Sequence, residues 1–132
     1  MKKVHTENAP KAIGPYSQAQ VFHDRLVFVS GQIGIDPKTG EMAGTDVVSQ
    51  AEQICKNIGE ILKAAGTSLD NVLKATCFLK DIKDFKAFNE VYAKYFVNTP
   101  ARSCIEVSAL PRPGAVCEIE VYAEILGGCK HE

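Results

Sequence analysis

The chain has 132 residues, which fits a single domain covering residues 1–132 and leaves little room for a second module. The composition, with 45% hydrophobic and 23% charged residues, favours neither a disordered nor a fibrous protein. The formal net charge of -1 gives no sign of the basic surface of a nucleic-acid binder. The first residues lack the apolar run of a signal peptide and no stretch is long enough to span a bilayer, so a cytoplasmic protein with no membrane partner is expected.

The first part of the chain alternates in the manner of short strands. Strands are predicted at residues 2–6, 17–22 and 26–30. The last two form a hairpin around His23–Arg25, and a loop rich in proline and glycine leads into Tyr16. Gly31 directly follows the apolar run that ends at Ser30, so we expect a β-bulge or a close approach of another group to the backbone there.

A first amphipathic helix is predicted from about residue 46 to residue 65. Asp46 is its candidate N-cap, and Gly66 lies just beyond its end, where helices often adopt a left-handed residue. One face of this helix should be buried against a sheet.

A strand at residues 71–80 precedes a second helix, for which Asp84 is the candidate N-cap and which ends near residue 96. Its apolar stripe contains Phe85, Phe88, Tyr92, Tyr95 and Phe96. Asn89 lies at helical spacing within that stripe. Its polar amide should therefore have a hydrogen-bond partner on this face.

The last two strands are predicted at residues 101–109 and 115–126. Alternation puts one set of side chains of the last strand towards the helices, namely Ala115, Cys117, Ile119, Val121, Ala123 and Ile125. Glu118 then lies on the opposite, helix-free face. In the preceding strand the apolar set Ser103, Ile105, Val107 and Ala109 is predicted to face the helices, which places Arg102, Cys104 and Glu106 on the helix-free face.

The predicted fold is an α+β two-layer sandwich, with one mixed sheet and both helices on one face. The other face combines charged residues with sizeable apolar ones such as Val116, Tyr122 and Leu126. A mixed face of this kind suits packing against further subunits, so a homo-oligomer is expected.

Arg102 is the residue of this sheet that most needs an explanation, because the other two arginines, Arg25 and Arg112, lie in turn-like surroundings. An arginine within a strand can extend to the rim of the sheet, pair with a carboxylate of the fold, or present its planar donors to an anionic ligand. Glu106, Glu118 and Glu120 are the candidate carboxylates for the second alternative.

Five cysteines are spread along the chain without a C-x-x-C pair, which fits neither a disulfide framework nor a zinc site. They are expected to be small apolar core residues. The histidines are isolated near turns and termini, so no metal is predicted. The C-terminal segment Gly127–Glu132 carries no functional signal.

Several segments resemble the motifs of the RidA proteins, also called the YjgF/UK114 family, and they occur in the family's order. The matching segments are Ala12–Gln18, Ser30–Ile33, Asp36–Pro37 with Thr39–Gly40, Phe88–Tyr92, Pro100–Cys104 and Glu118–Glu120. Each match is weak alone, but together they are specific and span nearly the whole chain.

The resemblance implies a chorismate-mutase-like fold and a homotrimer with ligand sites between subunits. It implies hydrolysis of reactive 2-imino acids, such as 2-iminopropanoate and 2-iminobutanoate, to 2-oxo acids and ammonia without a cofactor or metal. By similarity Arg102 would grip the substrate carboxylate and Glu118 would activate the attacking water.

The resemblance also implies a substrate-binding group around those two residues. Tyr16 would offer its hydroxyl and ring, Ser30 and Gly31 would line the pocket, and Asn89 would add a polar contact. Cys104 would contribute its backbone carbonyl rather than its thiol. Each of these has a structural alternative, since Tyr16 can close the Gly-Pro loop, Asn89 can cap a backbone group and Ser30–Gly31 can simply end a strand.

Two other functions stay open at this point. A trimer that binds small carboxylates without turning them over would use the same Arg102, although Glu118 favours the enzyme. An RNA-directed role has been described for some family members, but the near-neutral charge and the scarcity of arginine weigh against it.

Overall fold

The computed structural model describes residues 1–126, so the segment Gly127–Glu132, for which no function is predicted, lies outside the described residues. The strands are β1 (Lys2–Val4), β2 (Ala19–Phe22), β3 (Leu26–Gln32), β4 (Val72–Leu79), β5 (Ala101–Glu106) and β6 (Cys117–Glu124). The helices are α1 (Val47–Ala65) and α2 (Phe85–Tyr95), and single 3₁₀ turns lie at Leu69–Asn71 and Ile82–Asp84.

The six strands form one sheet in the order β1-β2-β3-β6-β4-β5. Every pairing is antiparallel except that of β4 with β5, which are parallel and are connected through α2. A parallel pair needs such a crossover, because the chain must return to the same end of the sheet. The predicted α+β fold with one mixed sheet is confirmed.

Both helices cover the same face of the sheet and enclose the core. The stripe of α1 that faces the sheet includes Ala51, Ile54, Ile58 and Ile61, all of them fully buried. The predicted ends of α1 are confirmed, since the Asp46 carboxylate accepts a hydrogen bond from the Ser49 amide and Gly66 has a φ of 94°.

The predicted cap of α2 is wrong in its chemistry. Asp84 occupies the N-cap position, but its side chain forms no capping hydrogen bond. The 3₁₀ turn before α2 already uses the carboxylates of two other residues: Asp81 accepts from the Lys83 amide at 2.9 Å, and Glu106 accepts from the Ile82 amide at 2.8 Å. The entry into α2 is therefore stabilised one turn earlier than expected.

The strands are shorter than predicted at several ends, because side chains take over the backbone hydrogen bonds there. The amide of Val116 donates to Gln50 Oε1 at 2.8 Å, so β6 begins at Cys117 rather than at residue 115. Beyond the end of β1, the amide of Thr6 donates to Gln18 Oε1 at 2.7 Å.

The predicted facing of β5 is wrong. Arg102 pairs with Ala75 of β4 and Cys104 pairs with Cys77, and both β4 residues are fully buried beneath the helices. Arg102 and Cys104 therefore lie on the helix-covered face. Ile105 lies beside Phe78 on the helix-free face and is 48% exposed.

The prediction failed because β5 is an edge strand beside a face that is itself partly apolar, so an apolar side chain does not mark the core side. The facing of β6 is confirmed, because Cys117, Ile119, Val121 and Ala123 are buried. Glu118 pairs with Phe78 and therefore lies on the helix-free face with Ile105.

The helix-free face exposes several large apolar side chains. Phe28 is 39% exposed and Tyr122 is 42% exposed, and their rings pack edge to face with centroids 5.0 Å apart. Both come from neighbouring central strands rather than from the rim of the sheet. In the described part of the chain, neither helix has the length and apolar character that crossing a membrane requires.

Candidate active site

Arg102 is held by side chains of α2. Its Nη1 donates a hydrogen bond to Asn89 Oδ1 at 2.7 Å. Its guanidinium carbon lies 4.7 Å from the centroid of the Tyr92 ring and 5.6 Å from that of Phe85. Asn89 thus has the partner that its place on the apolar stripe predicted. Among residues 1–126 the guanidinium forms no salt bridge, so the predicted alternative of an ion pair within one chain finds no support in that region.

Cys104 lies beside Arg102 at the edge of the core. Its thiol is partly buried, and burial raises the pKa of that thiol, while Arg102 acts in the opposite direction more weakly. Cys77, its cross-strand neighbour on β4, is fully buried. A thiol of raised pKa is a weak nucleophile at neutral pH, which agrees with a backbone rather than a thiol role for Cys104.

Glu118 lies against Gly31 on the other face of the sheet. Two residues of β3, Ser30 and Gly31, lie opposite the single residue Glu120 of β6, which is the bulge expected from the sequence. A Cβ atom on Gly31 would lie 2.0 Å from Glu118 Oε2. The missing side chain of Gly31 therefore provides the space that the carboxylate occupies.

The Glu118 carboxylate is half-buried and faces a cavity. Burial raises its pKa, and the nearby charge of Glu120 raises it further. The cavity has a volume of about 490 Å³. Glu118, Gly31 and Tyr16 contribute to its wall, together with the apolar side chains of Ile33 and Pro111.

Tyr16 lines this cavity, whereas Ser30 is not part of its wall. Tyr16 is 51% exposed at the end of the proline-rich loop, so its ring and hydroxyl are accessible. The Ser30 hydroxyl donates to the Ser17 carbonyl at 2.6 Å, which leaves it to hold the loop rather than a ligand. The buried amide of Gln18 holds the same loop by donating to the Thr6 carbonyl at 3.1 Å and the Pro10 carbonyl at 2.9 Å.

The structure thus gathers the predicted site residues other than Ser30 into two groups. Arg102, Asn89 and Cys104 lie on the helix-covered side of β5, while Glu118, Gly31 and Tyr16 surround the cavity on the helix-free side. A single chain does not bring the two groups to one ligand.

Sequence reasoning missed Tyr92 and Phe85 as contacts of Arg102, because it assigned both rings to the core. Their spacing of three to four residues from Asn89 on α2 is the signal that relates them.

Residues 6–125 match the model of the family described as Endoribonuclease L-PSP. A 2-iminobutanoate/2-iminopropanoate deaminase from Capra hircus is 53% identical over 121 residues, which cover 91% of this chain and 87% of that protein.

Solved structures show the same similarity. RidA from an Antarctic Psychrobacter species has a TM-score of 0.89 and 41% identity, and the match covers 95% of this chain and all of that one. E. coli TdcF with bound serine has a TM-score of 0.87 and 41% identity, with 94% and 98% of the two chains covered.

Proposed function

Because the chain belongs to the Endoribonuclease L-PSP family, which confirms the resemblance seen in its motifs, we propose that it hydrolyses reactive 2-imino acids to 2-oxo acids and ammonia. The substrates are 2-iminopropanoate, 2-iminobutanoate and their enamine tautomers. The reaction needs no cofactor, since water and two side chains supply its chemistry. The cytoplasmic location expected from the sequence stays a prediction.

The observation that carries this proposal is that the Arg102 guanidinium has no carboxylate partner among the described residues. The only hydrogen bond of this guanidinium among the described residues goes to a neutral amide. A guanidinium has five N–H donors in a fixed plane, so most of its donors are available to a carboxylate ligand. A bidentate grip on the substrate carboxylate would fix the adjacent imine carbon.

Glu118 would be the general base. As water attacks the imine carbon, a C–O bond forms, the π pair of the C=N bond moves to nitrogen, and Glu118 accepts a proton from the water. Returning that proton to nitrogen gives the neutral carbinolamine. Glu118 then takes the proton of the carbinol hydroxyl and passes it to nitrogen. The C–N bond breaks, ammonia leaves, the C=O bond of the 2-oxo acid forms, and the Glu118 carboxylate is regenerated. The raised pKa of Glu118 brings its basicity closer to neutral pH, where proton transfer is most effective.

The complete site would form between two copies of the chain in a homotrimer. Arg102 and Glu118 lie on opposite faces of the sheet, so the carboxylate grip of one subunit can serve the base of its neighbour. The exposed apolar side chains of the helix-free face, Phe28 and Tyr122 among them, support burial of that face against other subunits. Light scattering on the purified protein tests this assembly, and a monomer at micromolar concentration would contradict it.

The relatives favour the same ligand class. The goat relative is named for 2-imino acid substrates, and the E. coli relative was crystallised with serine. An amino acid and an imino acid share the carboxylate and the adjacent nitrogen-bearing carbon. Arg102 would therefore meet the same anionic group in both.

The test is a coupled assay in which a pyridoxal-phosphate-dependent threonine dehydratase generates the imine and formation of 2-oxobutanoate is followed. The parent protein is expected to accelerate the hydrolytic step. Arg102→Lys should lose most of that acceleration while the assembly persists, because an ammonium cannot reproduce the planar fork. Arg25→Lys, at an exposed hairpin position, is the matched control.

The same assay separates the enzyme from a carboxylate sensor. Glu118→Gln is expected to bind 2-oxobutanoate in calorimetry and yet to hydrolyse poorly. A parent protein that binds the 2-oxo acid without accelerating hydrolysis would instead be a sensor. The half-buried carboxylate of Glu118 beside a cavity favours the enzyme, because a sensor has no need of a base there.

A further inference from the structure

We infer that Asn89 and Tyr92 are positioning residues that hold the Arg102 guanidinium in one plane without neutralising its charge. The part of this inference that concerns catalysis rests on the proposed function. The part that concerns the orientation of the guanidinium does not rest on the proposed function, and that orientation can be measured without any substrate.

The placement follows from the geometry of α2. Phe85, Asn89 and Tyr92 are separated by four and three residues, so they lie one above another on a single side of the helix. That side faces Arg102. Asn89 accepts a hydrogen bond from the guanidinium, and the rings of Phe85 and Tyr92 lie against it. Three contacts from one rigid element restrict both the position and the rotation of the guanidinium.

The chemistry of Asn89 decides what is left for a ligand. Its amide oxygen accepts one N–H at 2.7 Å and carries no formal charge. An aspartate at the same position would have nearly the same shape, but it would form an ion pair and compete with a substrate carboxylate for the same fork. An uncharged acceptor orients the guanidinium and leaves its positive charge available.

Tyr92 acts through its ring. The ring is packed against Phe96 with centroids 4.3 Å apart and against Phe88 with centroids 6.1 Å apart, and it is only 8% exposed. Its buried hydroxyl has no hydrogen-bond partner among the described residues. The ring face beside Arg102 thus contributes a fixed cation–π contact, and the hydroxyl contributes none of it.

Asn89→Asp is the decisive variant, because the change is nearly isosteric. With the imine generated in the coupled assay, its KM is expected to rise about tenfold or more while kcat changes much less. Binding of 2-oxobutanoate measured by calorimetry should weaken by a similar factor. A purely structural role for Asn89 would leave both quantities near those of the parent, and that result would overturn the inference.

Tyr92 is tested by a pair of variants. Tyr92→Leu removes the ring and is expected to weaken 2-oxobutanoate binding, whereas Tyr92→Phe should recover most of the lost affinity. Equal affinities in the two variants would contradict a role for the ring. Circular dichroism and light scattering establish that each variant is folded and assembled before its affinity is interpreted.

Nitrogen-15 NMR of the arginine side chains provides a readout without substrate. The chain has three arginines, so Arg25 and Arg112 serve as internal references. Slow rotation of the Arg102 guanidinium is expected in the parent and faster rotation in Asn89→Ala. Unchanged rotation would overturn the positioning role, whereas a parent protein that fails to hydrolyse imines while its guanidinium is held would count only against the proposed function.

Discussion

In the proposed site, the Glu118 carboxylate occupies the space that a side chain at residue 31 would need. A Cβ atom on residue 31 would lie only 2.0 Å from Glu118 Oε2. A contact that short cannot persist, so any side chain at residue 31 must move Glu118 or the backbone of β3.

Gly31→Ala is therefore expected to reduce imine hydrolysis by about a hundredfold, since small displacements of a catalytic group have effects of that size. Calorimetry should show much smaller changes in 2-oxobutanoate binding, because Arg102 belongs to the other group of residues. Full activity in a folded Gly31→Ala protein would show that the position of Glu118 is unimportant.

The pKa of Glu118 should set the pH dependence of imine hydrolysis. A general base must be ionised, so the rate of hydrolysis should fall as the pH falls through the pKa of Glu118. Burial raises that pKa, and Glu120 raises it further, so the loss should begin above the pH at which an ordinary glutamate is protonated. The pH profile of kcat/KM, measured at constant ionic strength, checks this.

Glu118→Gln tests the raised pKa of Glu118 through the stability of the fold. A raised pKa means that the folded state favours the protonated carboxyl, so this group stabilises the fold at low pH and loses that contribution as the pH rises through its pKa. The neutral glutamine should consequently be more resistant to thermal unfolding than the parent at neutral pH. A lower melting temperature would argue that the ionised carboxylate has a stabilising partner.

Single residues were predicted with uneven success. The requirement for a partner of Asn89 and the close approach at Gly31 followed from local patterns, because a polar group on an apolar stripe and a glycine after a buried strand both have few explanations. That Arg102 is the partner did not follow, since it depends on how α2 lies over β5. The roles of Tyr16, Ser30 and Cys104 as ligand contacts stay predictions.

At the scale of elements, α1 combines a capped start, a left-handed glycine after its last residue, and one interior glycine. Gly59 lies within the helix, and a Cβ atom there would meet only Leu69 Cδ1, at an ordinary contact distance of 3.7 Å. Glycine weakens a helix interior because it has more backbone freedom to lose on folding.

Gly59→Ala is expected to raise the free energy of unfolding by about 0.5–1 kcal/mol. Urea denaturation of parent and variant at one protein concentration measures the difference. Imine hydrolysis should be unaffected, which makes this variant the matched control for Gly31→Ala. A destabilised Gly59→Ala protein would indicate that the added methyl group does not fit beside Leu69.

Elements were easier to predict than their arrangement. Apolar periodicity and turn residues predicted the eight main elements and their sequence order, because these signals are local. The position of β6 between β3 and β4 was not predicted, since strand order depends on contacts between distant segments. The facing of β5 was mispredicted for a related reason, because the rule that apolar residues face the helices fails beside a second apolar surface.

For the whole molecule, the separation of Arg102 from Glu118 predicts complementation between inactive variants. Arg102→Lys and Glu118→Gln proteins are each expected to be nearly inactive alone. Unfolded and refolded together in equal amounts, they should recover about a quarter of the parent activity, because about three quarters of the trimers are mixed and each mixed trimer contains one intact site. Activity no greater than the sum of the two variants would mean that each site is built within one chain.

The close contact between Gly31 and the Glu118 carboxylate also has an evolutionary consequence. As long as the Glu118 carboxylate keeps its present position, substitution at position 31 is restricted, because every other amino acid would place a Cβ atom 2.0 Å from Glu118 Oε2. A protein that has lost the glutamate at position 118 is free of this restriction. Substitutions at the two positions should therefore be coupled across descendants of this fold, and a residue larger than glycine at position 31 should identify members that bind small acids without hydrolysing them.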